Sequence, residues 1–245
     1  MANLQNPSST GGVTDWLLRR VPVAFAHMGL LLARYDNSAD RRNRLDRIKK
    51  TRSERDMLLI PAEACQILSA LKAVEKIPGD MAELGVSTGG SAKMISSYAP
   101  NRTLHLFDTF EGLPEPHVTD SARFKSGQYA SNFEKVKNYL QGCNVRIYKG
   151  LFPDTTKDLP EVKFAFVHLD GDLYESTKAG LEYFYPRMSP GAICICHDFN
   201  TSAGVNRAFA EFFCDKPEVY IELLGSQCMF VKQENTPNFS KHPNQ

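Results

Sequence analysis

The 245-residue chain predicts an α/β fold built on a doubly wound, mostly parallel sheet of seven strands. Three observations lead there. Short apolar runs alternate with amphipathic stretches from Met81 to Phe213. The first run opens into a glycine-rich turn and a helix, MAELGVSTGGSAKMISSY. The last two runs, Val219–Leu224 and Cys228–Lys232, flank Gly225-Ser226 and predict an antiparallel hairpin near one edge.

Taken in order, residues 1–12 are polar with little to bury and are expected to be disordered. Thr14 or Asp15 can cap a helix over Trp16 to Arg34. Arg19, Arg20, Pro22, His27 and Arg34 interrupt that apolar stretch, so it falls short of a membrane span. No secretory signal is evident, and a cytoplasmic location is expected. From Asp36 to Arg55 the chain is crowded with arginine and lysine. The expected form is a helical appendage with a solvated basic face, packed on its own domain or on a twin subunit of a homo-oligomer. The alternative is docking on an anionic membrane surface or an acidic partner. A net charge of +1 and a basic run without interleaved aromatics argue against nucleic acid. The expected organisation is therefore an appendage over 1–56, one domain over 57–233 and a polar tail over 234–245.

Ala64, Ile67, Leu68, Leu71 and Val74 place a helix over Pro61 to Lys76, which Pro78-Gly79-Asp80 ends. Met81–Val86 is the opening strand. Strands follow at Thr103–Asp108, Val145–Lys149, Phe164–Asp170 and Ala192–Asp198, with helices over Asn132–Leu140, Tyr174–Arg187 and Val205–Phe213. Glu111–Tyr129 is long and irregular, and its place favours a lid over substrate. The six cysteines form no CxxC pair and are expected to be buried free thiols in a reducing compartment.

The polar residues gather where such a sheet binds ligands, beyond the carboxyl ends of its strands. Strand one carries Glu83 and the glycine turn, strand two Asp108, strand three Gly150 and Phe152, strand four Asp170, and strand five His197 and Asp198. An acid inside an apolar strand is costly to bury unless it binds something, which singles out Glu83. Asp108 can accept from both hydroxyls of a ribose. The turn GVSTGGS is not GxGxxG, and there is no P-loop lysine, so a nucleoside without phosphates fits better than a dinucleotide.

The segments GDMAELGVSTGGSAKMI, LHLFDTFEGLPEP, KGLFPDT, FVHLDGDLYEST and CICHDFN…GVNRAFAEFF resemble the class I S-adenosylmethionine-dependent methyltransferases. More narrowly, they resemble the macrocin O-methyltransferase (TylF-like) group, which methylates hydroxyls of sugars and related small molecules. The resemblance covers roughly residues 57–232 and implies a Rossmann-like fold. It implies S-adenosyl-L-methionine as cofactor, held by Glu83, Gly85, Gly89, Gly90 and Ser91 at the methionine end. Asp108 would hold the ribose, with Thr109, Phe110, Gly150, Leu151 and Phe152 around the adenine. Asp170 would lie between cofactor and metal, and His197 and Asp198 would complete a site for Mg²⁺ or another divalent metal. Many relatives carry Asp-Asp or Asp-Asn where this chain has His197-Asp198; the histidine leaves open a general base or a softer metal. The implied reaction is metal-assisted methyl transfer to a sugar or glycoside hydroxyl, with Asp170 and His197 as catalytic residues; the alternatives are a metal-independent transfer with His197 as general base, or an inactive scaffold that binds the cofactor. His168 points to the same face as Asp170 and is expected as a hydrogen-bonded core histidine. Asp172 is expected to cap the following helix or support Asp170.

Overall fold

A computed structural model describes residues 38–157 and 159–234. The expectations for the helix over Trp16–Arg34, the polar start and the tail beyond 234 lie outside them. Two compact units divide the chain between Asn43 and Arg44. Of the first, residues 38–43 open helix α1 (Ala39–Glu54), where the Arg41 N–H donates to Ser38 Oγ at 3.4 Å.

The second unit begins inside α1, well before residue 57. Ile48 is buried in its core. Its arginines are not simply solvated, as the sequence suggests. Arg44 donates to Ser69 Oγ, Arg47 to the Ser97 carbonyl at 2.9 Å, Arg52 to the Leu59 carbonyl at 2.6 Å and Arg55 to the Lys135 carbonyl at 3.2 Å. Charged donors on backbone carbonyls tie the helix down more firmly than surface ion pairs would.

The remaining elements are α2 (Pro61–Ala73), β1 (Asp80–Leu84), α3 (Gly90–Tyr98), β2 (Leu104–Asp108), α4 (Phe133–Tyr139), β3 (Val145–Lys149), β4 (Phe164–Leu169), α5 (Tyr174–Phe184), β5 (Met188–Cys196), α6 (Ala203–Phe213), β6 (Tyr220–Glu222) and β7 (Cys228–Val231). The seven strands lie in the order β3-β2-β1-β4-β5-β7-β6. All neighbours through β5 are parallel, and β7 runs antiparallel between β5 and β6. The chain reverses its direction of winding between β1 and β4, the place where an open sheet leaves a crevice.

Each element has a local cause. All six residues of β4 are buried, as a central parallel strand requires. Asn132 caps α4, its side chain accepting from the Lys135 N–H at 3.0 Å. The helix expected to Arg187 ends at Phe184 and tightens into a 3₁₀ turn over Tyr185–Arg187, where Pro186 removes a donor. The strand runs expected to reach Asp170 and Asp198 stop at Leu169 and Cys196, which leaves the polar residues just beyond the ends.

Two apolar clusters cover the two faces. One joins Ile67, Leu68, Met81, Ile95, Leu106, Phe166 and Ile195 under α1, α2 and α3. The other joins Leu84, Phe107, Val167, Phe184, Cys194, Phe209 and Phe230 under α5 and α6. Each fully buried Phe contributes about 1.5–3 kcal/mol. Cys65, Cys194, Cys196 and Cys228 are buried free thiols as expected, whereas Cys143 is half-buried and Cys214 exposed. Burial holds the Cys194 and Cys196 thiols well above their usual pKa, so both stay protonated. Among the described residues, no helix is long and apolar enough to cross a membrane.

Candidate active site

A cavity of about 540 Å³ opens beyond the carboxyl ends of β1, β2, β4 and β5, within the usual range for a small-molecule site. Its first wall is the turn after β1. Gly85 sits at φ +90°, and a Cβ there would collide with the Asp170 carbonyl oxygen. Only glycine lets β1 and β4 approach so closely at their ends. Among the described residues, the non-glycine positions with positive φ are Ser87, Phe110, Tyr129, Asp172 and Asp198. All except Phe110 line the cavity. Backbone strain concentrated in this way is characteristic of functional sites.

Asp108 organises the turn from β2. Its Oδ2 accepts the Val86 N–H at 2.6 Å and the Ser87 N–H at 2.8 Å, and its Oδ1 accepts the Phe110 N–H at 2.6 Å. The carboxylate faces the cavity while clamping the backbone that frames it. Gly85, Gly90, Ser91, Thr109, Gly150, Leu151 and Phe152 line the same space. Glu83, Gly89 and Phe110, grouped with them by the sequence, do not. Phe110 packs against Phe133 with ring centroids 5.0 Å apart. Gly89 caps α3 in the left-handed conformation.

Glu83 lies behind the wall. It is paired in register with His168 on the neighbouring strand, and both side chains are fully buried. The His168 Nδ1 lies 2.9 Å from Glu83 Oε1. Burial raises the Glu83 pKa, and the His168 hydrogen bond pulls against that rise. Ser91, at the start of α3, lies close to this carboxylate and does line the cavity.

The floor is a cluster of acids around one imidazole. His197 Nδ1 is 3.0 Å from both Asp170 Oδ1 and Asp198 Oδ2. Its Nε2 is 3.4 Å from Glu63 Oε2. Burial alone would lower the His197 pKa; the charge and hydrogen bond of Asp170, then Asp198 and Glu63, overturn this and hold it far above the usual value. Asp198 moves the opposite way: burial opposes ionisation, and the bonds from His197 and Thr201 win. Asp172 beside them has its pKa raised to about 9, by burial first and then by Asp170 and Asp198. One ligand atom each from Asp170, His197 and Asp198 lies within 4.8 Å of the other two. Two carboxylates and an imidazole facing one gap suit a divalent first-row metal.

The last wall is the stretch after β2. Leu113 and Gln128 pair through a 2.8 Å backbone bond, and Gly112, Leu113, Arg123, Gln128 and Tyr129 line the cavity. Asp120 Oδ1 accepts the Tyr174 N–H at 2.8 Å and so caps α5. That is the duty the sequence suggested for Asp172, whose own backbone is left-handed. Arg123 Nη2 donates to Asp198 Oδ1 at 3.2 Å. Glu63, Ser226, Asp120 and Arg123 are the site residues that sequence reasoning missed. For Glu63 a weak signal exists, an acid three positions into a helix that follows a break.

This is the architecture that class I methyltransferases share: a cavity at the switch point, a glycine turn on one side and an acid cluster on the other. The chain belongs to the macrocin O-methyltransferase (TylF) family, whose model matches residues 63–222. It is 35% identical over 144 residues to the 8-demethyl-8-(2,3-dimethoxy-alpha-L-rhamnosyl)-tetracenomycin-C 4'-O-methyltransferase of Streptomyces olivaceus, covering 52% of this chain and 55% of that one. It is 31% identical over 154 residues to the mycinamicin III 3''-O-methyltransferase of Micromonospora griseorubida, covering 54% and 58%. The chain thus spans about half the length of the curated relatives it matches. Among solved structures it resembles the O-methyltransferase NovP, with a TM-score of 0.60 and 26% identity over 71% of this chain and 82% of that one. The calicheamicin methyltransferase CalS11, at 19% identity and a TM-score of 0.60 over 80% and 94%, shares the fold.

Proposed function

We propose that the chain is an S-adenosylmethionine-dependent O-methyltransferase that acts on a hydroxyl of a sugar or glycosylated small molecule, with a divalent metal at Asp170, His197 and Asp198. The observation that carries this reading is convergence: the Gly85–Ser91 turn, Asp108 and the acid–imidazole cluster share one cavity. Supporting it, the relatives named above are methyltransferases by name, and the name of the first includes a rhamnosyl group.

The sulfonium of the bound cofactor supplies an already activated methyl group. A metal held by Asp170, His197 and Asp198 would act as a Lewis acid and make the acceptor hydroxyl easier to deprotonate. Everything else falls to the chain. The Asp108 carboxylate and the backbone it clamps present a fixed surface to the ribose. Phe107, Leu151 and Phe152 offer apolar contacts to a base. Ser91 and the free N–H groups at the start of α3 face the carboxylate end. The segment over 112–130 covers the cavity and limits water. Asp170 and Asp198 hold their oxygens toward one gap, and that orientation is what aligns an acceptor for in-line transfer. Removal of the hydroxyl proton falls to Asp170, which lines the cavity; Asp172 beside it is held protonated by burial and by the charges of Asp170 and Asp198, so it cannot accept that proton. His168 is turned into the core and His197 is enclosed by three carboxylates, so neither takes that role.

The test is a labelled-methyl assay with deoxysugar glycosides and nucleotide-linked sugars, alongside calorimetry with S-adenosylhomocysteine. The expected result is micromolar cofactor binding, with transfer that EDTA abolishes and a divalent metal restores. Absence of cofactor binding overturns the reading as a whole. Transfer that survives EDTA overturns its metal part.

A further inference from the structure

Glu63 stands outside everything the proposed reaction uses, yet it is nearly fully buried against the site. It sits in the first turn of α2, and the turn between β6 and β7 folds over it. Its Oε1 accepts the Ser226 N–H at 2.8 Å and the Ser226 hydroxyl at 2.9 Å. Its Oε2 accepts the Ile60 N–H at 2.9 Å and faces His197 Nε2 at 3.4 Å. A Cβ on Gly225 would press against the Glu63 carboxylate, so glycine there lets the turn close over it. The Ser226 hydroxyl also accepts from the Asp198 N–H at 3.4 Å. Three segments far apart in sequence thus meet around one carboxylate.

A histidine offers two nitrogens, and which one carries the proton is set by what the other faces. Here the two nitrogens face different surroundings. Nδ1 points into the gap between Asp170 and Asp198, and Nε2 points at an oxygen that accepts only. We propose that Glu63 is a positioning residue for His197: it holds the ring in one orientation and keeps a proton on Nε2, so that Nδ1 is the atom presented to a metal. This rests on the proposed metal site and deepens it. A carboxylate behind a ligating imidazole typically changes metal affinity by about tenfold to a hundredfold.

Glu63→Gln probes this with little change of shape. The oxygen of the glutamine must serve the two Ser226 donors, which turns its NH₂ toward Ile60 and His197. That amide donates to Nε2 and drives the proton to Nδ1, the nitrogen that has to bind metal. Calorimetry with Mn²⁺ on the wild-type chain, Glu63→Gln, His197→Asp and the double variant forms a cycle. The expected result is a loss of about tenfold or more for Glu63→Gln, and no further loss when the same change is made beside Asp at 197. Unchanged Mn²⁺ affinity in Glu63→Gln overturns the inference, and so does an equal loss in both backgrounds. Failure of both the wild type and His197→Asp to bind Mn²⁺ overturns instead the metal site on which it rests.

A second measurement needs no variant. Long-range ¹H–¹⁵N spectra of the Zn²⁺-loaded wild-type chain report the His197 tautomer directly. A proton on Nε2 with Nδ1 on the metal supports the assignment, and the reverse overturns it.

Discussion

Arg123 and Asp198 meet across 75 residues of sequence, the guanidinium Nη2 lying 3.2 Å from Oδ1. Arg123 belongs to the segment after β2 that lines the cavity, and Asp198 to the cluster proposed to hold a metal. One carboxylate therefore has two prospective cationic partners. The Arg123 side chain is 49% exposed, so its hold is screened and modest. Arg123→Gln is expected to tighten Mn²⁺ binding by no more than about fivefold and to speed proteolytic cleavage within 112–130. Calorimetry and timed limited proteolysis check the two effects; slower cleavage in the variant would contradict the docking role.

Asp108 has a duty besides the ribose contact proposed for it. It accepts three backbone N–H groups, and such bonds to a charged acceptor are worth about 1.5–3 kcal/mol each when broken. Asp108→Ala is expected to weaken S-adenosylhomocysteine binding by at least about tenfold and also to lower the melting temperature. A variant that lost affinity at unchanged stability would show that the clamp on Val86 and Ser87 contributes nothing.

Gly85 and Gly127 both have positive φ, but their surroundings differ. Alanine at 85 meets the Asp170 carbonyl, whereas alanine at 127 meets nothing within 4 Å. Gly127→Ala is expected to cost about 1–2 kcal/mol, the conformational term alone. Gly85→Ala is expected to cost several times more or to prevent folding. Denaturant midpoints of the two variants compare them under one protocol.

The buried glutamates Glu63 and Glu83 give stability opposite pH slopes. Glu63 is held at about 2, below its unfolded value of 4.5: burial opposes this, and the bonds from His197, Ser226 and Ile60 prevail. Its contribution is present above pH 4.5 and is lost as pH falls toward 2. Glu83 is raised by burial, so its contribution is full below pH 4.5 and declines as pH rises through its folded value. Glu63→Gln is expected to flatten the acid side of the stability curve. Glu83→Gln is expected to be neutral or stabilising at pH 8 relative to pH 5. Urea midpoints from pH 3 to 9 check both.

The parts of the site legible in sequence are those that one strand carries to its own end. Asp108, Asp170 and Asp198 each follow an apolar run, and burial of the run leaves the acid at the rim. The fold was legible for the same reason, since six consecutive buried residues in Phe164–Leu169 read as a central strand without help from the rest of the chain. What stayed hidden was contributed by other segments. Glu63 looks like a helix-start acid, Ser226 like a turn residue and Arg123 like surface charge. Their roles exist only once α2, the β6–β7 turn and the covering segment converge on His197. Glu83 was singled out for a related reason: an acid in a buried strand needs a partner, and one of its oxygens finds His168 across the sheet, while the residue itself stands behind the cavity wall.

The turn that carries Ser226 precedes the last described strand, and that order has a consequence during synthesis. Ribosomes add about 5–20 residues per second, and Asp108, Asp170 and Asp198 all emerge before Ser226 does. Until the hairpin closes, Glu63 lacks two of its four donors and Gly225 has not yet covered it. Without the hairpin, Asp170 and Asp198 would still face His197 Nδ1, but the carboxylate facing Nε2 would keep only its Ile60 donor besides the imidazole. The β6–β7 turn thus ties the setting of His197 to the closure of a hairpin that lies some thirty positions beyond it in sequence.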